Sequence, residues 1–89
     1  MARIRISPEQ VRQAASQFQQ ASQQSQELVT RLSTTMTGMQ SEWEGMTSQR
    51  FYGEFQQWQG SMKQFIELLQ NIGQQLNQIA ERFAAADQQ

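Results

Sequence analysis

Neither cysteine nor histidine occurs in the chain, and the two absences exclude several kinds of protein at once. Without thiols no disulfide can brace a small fold, and a structural zinc would have only carboxylates to hold it. The usual general base and the strongest nucleophile are missing too. Serines and threonines fall mostly at helix caps or on helix surfaces, with no base beside them. Proline appears once, at Pro8, so nothing downstream of it interrupts a helix. Charge is sparse and balanced, with seven basic residues against eight acidic. Arg3, Arg5, Arg12, Arg31, Arg50, Lys63 and Arg82 are scattered, which leaves no phosphate-binding stripe and argues against nucleic acid as a partner. Uninterrupted apolar runs are no longer than the likes of Phe83-Ala84-Ala85-Ala86, far short of the ~20 residues that cross a bilayer. No stable membrane insertion is expected. The opening MARIRISPEQ carries two arginines with no apolar stretch behind them, so a Sec signal peptide is not expected either.

Eighty-nine residues allow one domain at most. A compact fold of that length buries only a modest share of its surface. With disulfides and zinc set aside, oligomerisation is the remaining common support.

What is plentiful is glutamine, in pairs such as Gln19-Gln20, Gln23-Gln24, Gln56-Gln57, Gln74-Gln75 and Gln88-Gln89. Glutamine-rich tracts can be disordered. Here they interrupt a regular apolar pattern and read as the solvated face of helices.

Ser7-Pro8-Glu9-Gln10 reads as a helix start. Ser7 can cap, Pro8 suits the first helical position, Gln10 completes a capping box, and Glu9 puts negative charge at the positive end of the dipole. Apolar or small residues then recur at Val11, Ala14, Ala15, Phe18, Ala21, Ser25, Leu28, Val29, Leu32, Met36 and Met39, the alternation of a heptad. Glu27 and Arg31 are spaced as an i,i+4 ion pair. The second pattern is cleaner: Phe51, Phe55, Trp58, Met62, Phe65, Leu69, Ile72, Leu76, Ile79, Phe83 and Ala86 alternate steps of four and three without a slip. Between the two lies Gln40 to Ser48, where Thr47 or Ser48 can cap the second helix and Gly45 can take the positive φ of a sharp reversal. The fold class predicted is all-α, one antiparallel helix-turn-helix hairpin over residues 1–89. Its first helix runs over about 8–40, the turn over about 41–47 and the second helix over about 48–87. Arms of roughly 35 to 40 residues at about 1.5 Å each give a rod of about 50 to 60 Å.

The apolar arc of the second helix is wide. At about 100° per residue, Ile66 and Leu68 fall on opposite edges of its stripe, and one partner helix cannot cover that arc. Two hairpins packed as a four-helix bundle can, and Gly73 at the edge would let them approach closely. The residues expected in the core and dimer seam are Phe18, Leu28, Leu32, Phe55, Trp58, Phe65, Leu69, Ile72 and Leu76.

Catalysis has little to work with. The carboxylates are spread along a rod, which offers no cleft to perturb them. Glu42 and Glu44 flank the turn but lack the further oxygen ligands a cation needs. No catalytic residue, metal or cofactor is expected. The polar face is nearly neutral glutamine, unlike the basic face of a helix lying on anionic lipid.

Trp43-Glu44-Gly45 stands midway in the chain between two heptad-patterned helices, with Ser7-Pro8-Glu9 at the start and Phe51 to Phe55 opening the second helix. Across essentially its whole length the chain resembles the WXG family of type VII secretion proteins of Gram-positive bacteria, the ESAT-like or Esx group. The resemblance implies a hairpin that dimerises into a four-helix bundle, folds in the cytoplasm, and is secreted without a cleavable signal peptide through a complex driven by a secretion ATPase. It marks Trp43 and Gly45 as the turn motif. It also implies a C-terminal export signal of the form Tyr-X-X-X-Asp/Glu, matched here by Phe83 and Asp87, with a phenylalanine that keeps the ring and loses the hydroxyl. The family pattern continues with hydrophobic residues a few positions further on, beyond Gln89.

Each of these residues has a plainer reading beside the functional one. Trp43 either plugs the open end of the bundle or meets a partner, and the two are compatible. Gly45 reads as a backbone requirement, Phe83 as a continuation of the seam, and Trp58 as core. Asp87 places negative charge at a helix C-terminus, mildly unfavourable with the dipole, which favours a functional reason for it. The reading is a non-enzymatic, homodimeric secreted virulence or secretion factor working through protein contacts with itself and the secretion ATPase. An intracellular helical adaptor with a coincidental turn, or a host-membrane-active effector, is the alternative.

Overall fold

The computed structural model describes residues 6–40, 42–43 and 46–87, with the side chains of 46–48 and 87 left aside. They form two helices, α1 (Pro8–Gln40) and α2 (Met46–Asp87), and no strand among the described residues. α1 begins on the capping box that its first residues spell out. The Gln10 N–H donates to Ser7 Oγ at 3.1 Å, and the Ser7 N–H donates to Gln10 Oε1 at 2.8 Å. Val11 N–H reaches the Ser7 carbonyl at 3.1 Å, the first turn of the helical ladder. Pro8 sits where a missing N–H deprives the helix of nothing.

The far part of α1 is built differently. The hydroxyls of Thr30, Thr34 and Thr35 donate to carbonyls four residues upstream at 3.0 Å, and that of Thr37 does so at 2.9 Å. Those bonds satisfy the hydroxyls, but β-branched residues are only middling helix formers. α2 begins at Met46, so the backbone of Thr47 and Ser48 lies inside its first turn rather than ahead of it. Methionine is the better helix former of the three, and the ladder extends back to it. The i,i+4 ion pair within reach is Arg50 with Glu54, at 3.6 Å and exposed, where water screens it. Glu27 and Arg31 form no such pair, their charges being solvated on an open helix face.

Partners descend along α1 as residues ascend along α2: Tyr52 meets Met36, Gln59 meets Ser33, and Gly73 meets Gln19 and Ala15. The helices are therefore antiparallel, in a rod of 67 × 22 × 15 Å. The rod exceeds the length expected because α2 has 42 residues, about 63 Å at about 1.5 Å per residue.

Packing is uneven along it. Val11, Ala15 and Ser22 of α1 and Leu69, Gly73 and Ala80 of α2 are buried, all in the half that holds the chain ends. Small side chains let the backbones come close there. A Cβ at Gly73 would lie 3.1 Å from Gln19 Cγ and 3.3 Å from the Ala15 carbonyl oxygen. Gly73 thus serves the approach of α1 in its own chain, not of a second hairpin. Gly73→Val is expected to force the helices apart and lower stability by about 1–3 kcal/mol, the usual range for overpacking. Gly73→Ala should be much milder, because its helix propensity gain offsets a contact that must yield by tenths of an ångström. Chemical denaturation of the pair measures both. In the turn half no described residue is buried. The helices are tied there by the Tyr52 hydroxyl donating to the Met36 carbonyl at 3.2 Å and by the Gln59 amide donating to Ser33 Oγ.

Candidate interaction surfaces

Two exposed features stand apart from this interior. The first is the turn. Glu42 N–H donates to the Met39 carbonyl at 3.0 Å, turning the chain just past α1. Trp43 then lies against the opening turns of α2. Its ring centroid is 5.5 Å from that of Phe51 and 6.1 Å, edge-on, from that of Tyr52. Phe51 and Tyr52 are themselves edge-on at 6.1 Å, so three rings form one cluster in arrangements aromatic quadrupoles favour. Tyr52 is the half-buried member, whereas Trp43 and Phe51 remain 37% and 41% exposed. Trp43 therefore packs on one side and is open on the other. Gly45 lies outside the described residues.

The second feature is one long face of the hairpin. Leu28 and Phe65 are exposed, Leu68 is 54% exposed, and Ile79 is exposed as well. Taking about 100° per residue from the direction in which each helix meets the other, the Leu28 side of α1 and the Phe65, Leu68 and Ile79 side of α2 point the same way. The other long face is polar, with a shallow groove lined by Gln19, Ser22, Gln23, Gln26, Gln70 and Gln74.

The structure divides the seam residues read from the sequence between two directions. Leu69 is buried between α1 and α2. Phe18, Leu32, Phe55, Trp58, Ile72 and Leu76 are half-buried, and Phe55 stacks on Trp58 at 5.3 Å. Leu28 and Phe65 are exposed. Phe83 is half-buried near the end of α2, and Asp87 is the last residue of that helix, its side chain outside the description. At about 1.5 Å per residue Phe83 stands about 55 Å along α2 from Met46. A single chain does not bring Phe83 and Asp87 to Trp43.

Tyr52 falls outside the four-three stripe, so the apolar pattern does not single it out. The signal was its adjacency to Phe51 and its being the one tyrosine of the chain. Among the described residues no group of three or more potential ligands of the histidine, cysteine, aspartate or glutamate type could hold a metal ion, and no helix is long and apolar enough to cross a membrane.

Fold and surfaces together define a class: a small helical hairpin that presents an aromatic turn and one apolar long face. Within that class, the chain belongs to the WXG100 family, described as proteins of 100 residues with WXG, whose model matches residues 3–88. Among solved structures it is similar to the secreted protein EsxB of Bacillus anthracis Sterne, at 34% identity and a TM-score of 0.86 over 98% of this chain and 99% of that one. It is equally similar to EsxA of Geobacillus thermodenitrificans, at 34% identity and a TM-score of 0.88 over 97% of this chain and 94% of that one. No curated protein matches. The all-α hairpin and the family likeness expected from the sequence are thus both found.

Proposed function

We propose that the chain is a substrate of a type VII secretion system, exported as a folded homodimer and acting through protein contacts with no catalytic step. The observation that carries this reading is the single apolar face. Large side chains such as Leu68 and Phe65, 54% and 46% exposed, each have about half of the roughly 1.5–3 kcal/mol of full burial still to gain. A second copy presenting the same face covers them, and the product is a four-helix bundle. Membership of the WXG100 family and likeness to a protein named as secreted supply the export half of the reading.

Two rods joined with their turns at opposite ends lay the Trp43 turn of one copy beside the Phe83 and Asp87 end of the other. The 67 Å rod keeps these elements apart in one chain, so the pair of copies is what joins them into a composite surface for the secretion ATPase. Trp43→Ala tests this. Secretion into the medium is expected to fall sharply while helix content by circular dichroism and dimer mass hold. Loss of helix content and dimer together with secretion would instead make Trp43 a structural plug.

A further inference from the structure

We propose that Tyr52 is the positioning residue of the turn motif, clamping the Trp43 ring by packing its own ring against it and anchoring its hydroxyl to α1. The proposal rests on the reading above, in which Trp43 is offered to a partner. Trp43 lies beyond the end of α1 and before the start of α2, so no helical ladder fixes its orientation. The core does not fix it either, since no described residue of the turn half is buried. Just before it, the Glu42 N–H donates to the Met39 carbonyl.

Tyr52 reaches both sides of this gap. Its ring stands edge-on to Trp43 and to Phe51, each at 6.1 Å. Its hydroxyl donates to the Met36 carbonyl at 3.2 Å, in a partly buried setting. A helix carbonyl has a second lone pair with which to accept this bond. α2, α1 and the Trp43 ring are thereby held by one side chain. Phe51 touches Trp43 as well, but a phenylalanine has no hydroxyl to tie the cluster to α1. An apolar residue at position 52 is not demanded by the heptad, so the hydroxyl gives the position its own chemical reason.

The test uses the dimeric protein and the indole N–H resonances of Trp43 and Trp58, the second serving as internal control. In Tyr52→Phe, loss of one net hydrogen bond is expected to raise the open population of the Trp43 ring about fivefold. The Trp43 indole signal then moves toward its random-coil position and its order parameter falls, while Trp58 and dimer mass stay as in the parent and the melting temperature drops by only the few degrees that one lost hydrogen bond costs. Tyr52→Leu, which also removes the ring, should free Trp43 further and reduce secretion, with Tyr52→Phe intermediate. An unchanged Trp43 signal in both variants overturns the proposal. So does a joint shift of Trp43 and Trp58, which would make Tyr52 ordinary core. Normal secretion of Trp43→Ala would overturn the export reading alone, leaving the indole measurement to decide the role of Tyr52.

Discussion

Leu68→Glu is expected to turn a particle of twice the 10.3 kDa chain mass into a monomer, read by light scattering after size exclusion at micromolar concentration. Leu68 is 54% exposed in the single hairpin, so a carboxylate there is well solvated and the lone chain loses little directly. If two hairpins pack on this face, the same carboxylate is taken out of water into an apolar seam that includes Phe65. An unpaired buried charge costs several kcal/mol, and a two-fold interface imposes it twice. A penalty of about 4 kcal/mol already weakens association about a thousandfold. Helix content should fall as well, since the turn half has no buried side chain of its own. Gln70→Glu, on the opposite polar face, is the matched control and should leave the dimer intact. A Leu68→Glu protein that remains dimeric contradicts the assignment of the interface to this face.

The second large effect is on export. Asp87→Ala is expected to abolish secretion while dimer mass and melting temperature hardly change. Positions 83 and 87 are one turn apart in α2, a spacing that puts them on the same side of a helix. A ring beside a carboxylate makes a two-point ligand, with the ring filling a pocket and the acid meeting a basic group. Removing negative charge from a helix C-terminus relieves an unfavourable interaction with the dipole, so any change in melting temperature should be upward. A loss of secretion therefore cannot be traced to unfolding. Mixed dimers with Trp43→Ala in one copy and Asp87→Ala in the other should keep one intact composite surface and part of the export. Normal secretion of the Asp87→Ala homodimer rules the signal out.

How much of this was legible in the sequence depended on how local the determining contacts are. The capping box of Ser7 and Gln10 could be read directly, because both of its bonds span three residues. The apolar stripe of α2 could be read as a stripe, but periodicity does not say which neighbour each position meets. Leu69 turned inward to α1 and Phe65 outward because the approach of the helices is set by Ala15, Ser22, Gly73 and Ala80, small residues whose weight shows only when two backbones meet. Gly73 was legible as a point of close approach, but its partner was not. Tyr52 escaped for a related reason: its ties are to Trp43 and Met36, distant in sequence, and nothing in its own heptad position announces them. Trp43 was visible as a motif, and only the packing of its ring on Phe51 and Tyr52 shows that one side of the ring is covered and the other exposed.

Export of this chain by type VII secretion is measured directly by its distribution between cells and medium with and without the secretion ATPase. The chain is expected in the medium of cells carrying an active ATPase, and is retained in the cytoplasm as a folded dimer when the ATPase is deleted or its nucleotide site is inactivated. Equal amounts in the medium of both strains, with a cytosolic marker showing no lysis, would contradict it.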